Sequence, residues 1–252
     1  MGNVDSLQLV NEGTWFSGHA NMWHKESKKW WGNRFGLWQI FIWILIINGI
    51  TALLLIDEPP DAVLDFIPFA SVFSIIGAVI LAQGTIVGEK QSGTAAWVLS
   101  APVSRSTFLL SKLIALVLGC LTTMIVLPYA IAYLEFSLIP EITVPFTSFL
   151  IAMGVSALHL GFYICLTLML GTLFTSRGPV IGIPLAAFFI GSIIQALPLS
   201  WLSILTPWPL IETSAALVHT QSMGSLVPVI ATAMWSVIFI ALAIWRFRRE
   251  EF

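Results

Sequence analysis

The side chains able to do chemistry are few and poorly placed for it. His19, His24, His159 and His219 are widely scattered, and no H-E-x-x-H string occurs. The five-residue step from His19 to His24 misses the i,i+4 spacing that puts two imidazoles on one helical face. Ser156 and His159 lie three apart, but no acid is placed to orient the imidazole as nucleophilic catalysis requires. Cys120 and Cys165 sit in apolar stretches, which signals neither a disulfide framework nor a thiolate metal site. A P-loop cradles phosphate with G-x-x-x-x-G-K-[ST]; Gly88-Glu89-Lys90 lacks both the earlier glycine and the following hydroxyl. The expectation is a chain with no catalytic residue, metal or nucleotide site of its own. Any ATP-driven work would need another polypeptide.

The elements that position these residues follow from composition. Of 252 residues, 58% are hydrophobic and only 10% charged, against about 25% charged for a soluble domain. So little polar surface cannot cover a water-soluble core of this size. A net charge of -2 and no basic block longer than three residues exclude nucleic-acid binding and disorder. No short apolar core followed by small residues marks a cleavable signal peptide. Crossing a bilayer takes about 20 apolar residues of helix, and six stretches qualify: 36–56, 66–87, 108–133, 146–175, 179–197 and 226–245. Pro184 should kink the fifth. The chain reads as a single all-α membrane domain over 1–252.

Orientation follows from the cations. Lys25, Lys28, Lys29 and Arg34 precede span one; Lys90, Arg105 and Lys112 surround the connection from span two to span three. Arg177 separates spans four and five, and Arg246, Arg248 and Arg249 follow span six. All eleven Lys and Arg thus fall on one side, while the opposite loops hold Asp57, Glu58, Asp61, Asp65, Glu135, Glu141 and Glu212. The positive-inside rule makes the cationic side, with both termini, cytoplasmic, and the expected location is the plasma membrane.

Six of the eleven tryptophans lie between Trp15 and Trp43. Phe16, Ala20, Trp23, Trp30 and Trp31 fall near one helical face, and His24, Lys25, Lys28 and Lys29 toward the other. Residues 1–35 therefore read as an elbow region whose amphipathic helix lies on anionic lipid and meets span one between Gly32 and Gly36. It either anchors span one or also docks a partner. On the opposite side, 198–224 is too apolar for a free loop and suits short re-entrant or interfacial helices: an outer lid or a packed surface loop. Asn48, Gln83, His159, Gln195, Thr122 and Thr123 are open between interhelical hydrogen bonds and pathway lining. Gly84-x-x-x-Gly88 and Gly178-x-x-x-Gly182 allow close backbone approach, within the bundle or between protomers. The lack of buried charge suits an amphiphilic or hydrophobic cargo better than an inorganic ion.

The connection Gly88 to Arg105 is the most informative stretch. Ser92 or Thr94 can cap a short helix, Pro102 stops it, and Ser104 or Ser106 can cap span three. Its body, Ala95-Ala96-Trp97-Val98-Leu99, is apolar and must dock somewhere.

Glu89, Gly93-Thr94, Leu99-Ser100, Pro102-Val103-Ser104-Arg105 and Lys112 together resemble the signature of the ABC-2 type transporter permeases. The Trp-rich elbow, six spans and long outer segment are similar too. The resemblance implies a coupling helix on 92–101, inserted into a separate ABC ATPase subunit present in two copies that hold ATP and Mg. It also implies a second permease protomer, as homodimer or heterodimer. Glu89 would hold the bottom of span two against the elbow or the ATPase, and Arg105 and Lys112 would anchor span three at the inner headgroups or simply snorkel there. The competing expectation is an ATPase-independent polytopic protein: a channel, scaffold or lipid-handling enzyme.

Overall fold

The computed structural model describes residues 19–32, 34–57, 59–94, 104–195, 204–220 and 224–250. Among these it contains helices and turns and no strand. The helices are α1 (His19–Trp31), α2 (Arg34–Asp57), α3 (Pro59–Gln91), α4 (Arg105–Ser137), α5 (Phe146–Leu173), α6 (Arg177–Gln195), α7 (Pro209–His219) and α8 (Val227–Arg248). Six of them are long and apolar enough to cross a membrane: α2, α3, α4, α5, α6 and α8.

Span boundaries depart from the apolar runs in one informative way. The apolar part of α3 covers Ala62–Gln91 and α4 covers Arg105–Ser137, both longer than the sequence suggests. The added turns carry Glu89, Lys90 and Arg105: the first two are ion-paired and Arg105 is hydrogen-bonded to carbonyls, as described below. Each helix also has a chemical stop. Gly93 takes φ +69, the left-handed conformation that glycine adopts without steric cost, and closes α3 with Gly93 N donating to Lys90 O. Ser104, not Ser106, caps α4: its Oγ accepts from Thr107 N at 3.0 Å. Ser92 and Thr94 direct their hydroxyls back onto Glu89 O, finishing span two.

α5 is the central helix, packing against α3, α7 and α8. α7 has 11 residues, about 16 Å of helix, too short to cross. It buries Leu210, Ser214 and Leu217, and Ser214 Oγ donates to Ala152 O on α5. The apolar outer segment thus contributes a docked helix, while Trp201 and Leu202 lie outside the described residues. α2, α6 and α8 leave wide apolar faces exposed, including Leu45, Ile193 and Val237.

Span three is not a uniform α-helix. Leu121–Val126 is π-helical, and Leu127 N donates five residues back to Thr122 O. Pro128 follows, and its missing N–H leaves Met124 O without the usual α-helical donor. Ser74 on α3 supplies one, its Oγ donating at 3.2 Å. Asn48 on α2 donates Nδ2 to Pro128 O at 2.8 Å. Thr122 and Thr123 bond back to Leu118 O and Gly119 O, so both are tied to their own helix.

The glycine pairs read from sequence do not make the close approaches within the bundle. A Cβ added at Gly84, Gly88, Gly178 or Gly182 would meet nothing. Gly32 and Gly36 are tight against the end of α1, and of the glycines inside the spans Gly77, Gly119 and Gly191 are tight because each lies under a tryptophan: Trp43, Trp30 and Trp208 respectively. The spacing rule missed these three because the partner is an indole ring rather than a helix backbone. Gly119→Ala should therefore lower the thermal stability of the purified protein, by about 1–3 kcal/mol if the indole must move. Gly84→Ala should be neutral or slightly stabilising. Equal melting temperatures for the two variants would contradict this packing.

Candidate functional site

The face that carries the cations is assembled around one side chain. Lys112 lies two helical turns into α4, and its side chain is fully buried. Its Nζ donates to Glu26 Oε1 on α1 at 2.9 Å and to Glu89 Oε1 near the end of α3 at 2.6 Å. It also sits 4.9 Å from the centroid of the Phe108 ring, one turn back on α4. Lys29, half exposed on α1, closes the cluster with Nζ 2.8 Å from Glu26 Oε2 and 3.9 Å from Glu89 Oε1. Two cations and two carboxylates balance.

Lys112 is thus neither at the headgroups nor snorkelling. Its stem would need an open path to the surface, and α1 covers that path. Removing one member of such a buried pair leaves an uncompensated charge, a loss of about 3–5 kcal/mol. Burial raises the Glu26 pKa, but the charge of Lys112 and hydrogen bonds from Lys29 and Lys112 outweigh it. The carboxyl is held below its ordinary value of 4.5.

Glu26 was not singled out by the sequence. Its signal was there: Met22, Glu26 and Trp30 recur at i,i+4,i+8, and all three turn toward the bundle. This corrects the reading of α1. Trp30 leaves the tryptophan face and packs over Gly119 of α4, whereas Trp31 is exposed. Trp23 is half-buried, and Lys28 and Lys29 are exposed. α1 presents a mixed face inward because its tightest neighbour is protein. A cavity of about 150 Å³ remains beside the cluster, between Glu26, Lys29, Trp30, Gln39, Leu81 and Lys112.

A second polar cluster adjoins the first. Lys90 Nζ lies 2.7 Å from Glu250 Oε1 and donates to Thr172 O on α5 at 2.9 Å. Gln91 donates to Thr175 O. Arg105 donates to Arg248 O and Glu250 O, so it holds the chain at the end of α8. Phe108 stacks on Phe247 with centroids 5.5 Å apart. Ends of α1, α3, α4, α5 and α8 therefore share one face. Of the connection itself, Glu89, Gly93, Thr94 and Arg105 are placed as above; Trp97, Leu99, Ser100 and Pro102 lie outside the described residues.

The intramembrane polar residues do not gather into one site. Asn48 is buried and bonded to α4. His159 is buried against Tyr163 and Phe188, 5.2 and 6.3 Å away by ring centroids. Its Nε2 has no hydrogen-bond partner among the described residues. Ser156 turns to Ser214 on α7 rather than to His159. Gln83 is half-buried with an unpartnered Oε1, and Gln195 is half-buried.

A family described as "Protein of unknown function (DUF2705)" matches residues 40–252. The chain belongs to this family. The matched region contains Glu89, Lys90, Arg105, Lys112 and Glu250, and begins after α1, so Glu26 and Lys29 fall outside it. No curated protein matches the chain.

Lys112→Met should cost about 3–5 kcal/mol and free α1, read as faster proteolysis between α1 and α2. Adding Glu26→Gln and Glu89→Gln should recover much of the loss; a triple variant no more stable than the single one would exclude the ion-pair account. The lowered Glu26 pKa stabilises the fold above about pH 4.5, where an unfolded carboxyl is ionised. That contribution is lost as pH falls through the folded value, so α1 should become protease-sensitive in acid. Glu26→Gln should flatten the profile.

Proposed function

We propose that this chain is the membrane-spanning permease subunit of an ATP-binding cassette exporter of the ABC-2 type. Two such protomers, identical or paired with a related chain, enclose the pathway for an amphiphilic or hydrophobic cargo. Two separate ATPase subunits bind ATP and Mg. Residues 92–101 form the coupling helix that sits in a groove of the ATPase. The cationic face is cytoplasmic, α1 is the interfacial elbow, and the membrane is the plasma membrane.

The observation that supports this reading most is the Lys112 cluster at the root of the connection. A push on 92–104 enters the membrane domain through the last turn of α3 and the first turns of α4. Lys112 bonds those two helices to each other and to α1, so displacement of one carries the other two. A solvated loop would need no such buried charge, with its desolvation cost. The pairing of Glu89 with a buried cation also fits the part that the resemblance gives it.

Affinity purification of the chain from its native membrane should bring down an ATPase in equal stoichiometry. Trp97→Glu or Leu99→Glu should release it. Full retention by both variants would sink the coupling-helix assignment, and a native complex with no ATPase would favour the ATPase-independent reading. Orientation is tested separately with single cysteines. Asp61→Cys should react with an impermeant thiol reagent added outside intact cells, and Thr94→Cys should react only after permeabilisation. The reverse pattern would invert the topology.

A further inference from the structure

The residues after span six make contacts that the transport reading does not use. Glu250 stands between the two roots of the connection. Its carboxylate takes Lys90, the penultimate residue of α3, at 2.7 Å. Its carbonyl, with that of Arg248, takes the guanidinium of Arg105, the first residue of span three. One residue thus reaches both ends of the segment 92–104. The grip is deepened by Phe247, buried and stacked on Phe108. Phe108 is also the ring beneath the Lys112 ammonium. Lys90 is additionally fixed to Thr172 O, so the brace is referred to the central helix α5.

We propose that Arg248–Glu250 is a strap that sets the separation and direction of the two roots, and that Glu250 is a positioning residue for the partner-facing connection. Lys90 is buried, with 7% side-chain exposure, and Glu250 with 16%. An ion pair this sheltered is screened far less than a surface pair and resists being pulled apart. Without it, the Lys90 ammonium keeps the Thr172 carbonyl, and the chain around the end of α8 keeps Arg105 and the Phe247 stack but loses its tie to α3. The two roots then stay tied only deeper in, through Lys112 and Glu89, and their outer turns move more freely. This rests on the transport reading for the identity of the partner, but the strap itself is a property of this chain alone.

The test has two arms. Hydrogen exchange is followed on the full chain in lipid nanodiscs without ATPase, at residues 90–94 and 104–108. Glu250→Ala should speed exchange there several-fold, Lys90→Met should do the same, and the double variant should add little, because both remove one interaction. The second arm is ATPase copurification, which Glu250→Ala should reduce about tenfold and Glu250→Asp should largely preserve. Unchanged exchange, or additive effects of the two substitutions, would overturn the strap whatever the ATPase does. Faster exchange with undiminished ATPase association would overturn its part in docking. If the wild-type chain binds no ATPase, the transport reading fails, and the exchange arm still decides the strap.

Discussion

A lysine ammonium with no access to water must be met by anions, and three helices are arranged to meet this one. Lys112 draws Glu26 from 86 residues away and Glu89 from 23. Buried ion pairs often add little net stability compared with apolar replacements of the same volume. What this one supplies is arrangement. Apolar side chains would let α1 slide or rotate against α3 and α4, whereas two short charge-assisted bonds allow one position. The placement of α1, the closeness of α3 and α4 and the exit points of the connection all follow from satisfying that one group.

The opposite end of the bundle is held differently. Phe66, Tyr129, Tyr133, Phe136 and Phe149 pack as a cluster from α3, α4 and α5, with ring centroids 4.9 to 6.3 Å apart. Three of the six pairs are edge-to-face, an arrangement the ring quadrupoles favour. Every ion pair among the described residues lies at the cationic face. One end is thus held by charge and the other by aromatic packing.

The spans were legible because crossing a membrane imposes a length and a composition that few other structures share. The break between α1 and α2 was legible too, from glycines between a polar helix and an apolar one. The centre of the site was only half legible. Glu89 and Lys112 stood out by position, but a lysine one or two turns from a helix start ordinarily reaches for the surface, and only the covering helix forbids it here. Glu26 stayed hidden because a single acid among lysines reads as a solvated face. The glycine pairs misled for a related reason: spacing says which backbones could approach, and only the fold says which indole will fill the gap. His159 was visible as an oddity, yet its aromatic surroundings come from α5 and α6, which no local pattern joins.

The π-helical stretch in span three has a consequence for how that helix is used. One buried stripe runs Phe108, Lys112, Leu116, Cys120 and Met124 at steps of four; past the π-helical turn both Pro128 and Tyr129 are buried, and Ala132 and Phe136 continue from Tyr129. The span is in effect two helices spliced out of phase. A continuous α-helix drifts steadily around its axis, so a stripe that faces α1 at one end would have turned away from α3 and α5 at the other. The inserted residue resets the phase midway. One span can then serve a charged floor and an aromatic wall on the same side of the molecule, and Ser74 and Asn48 hold the splice in register.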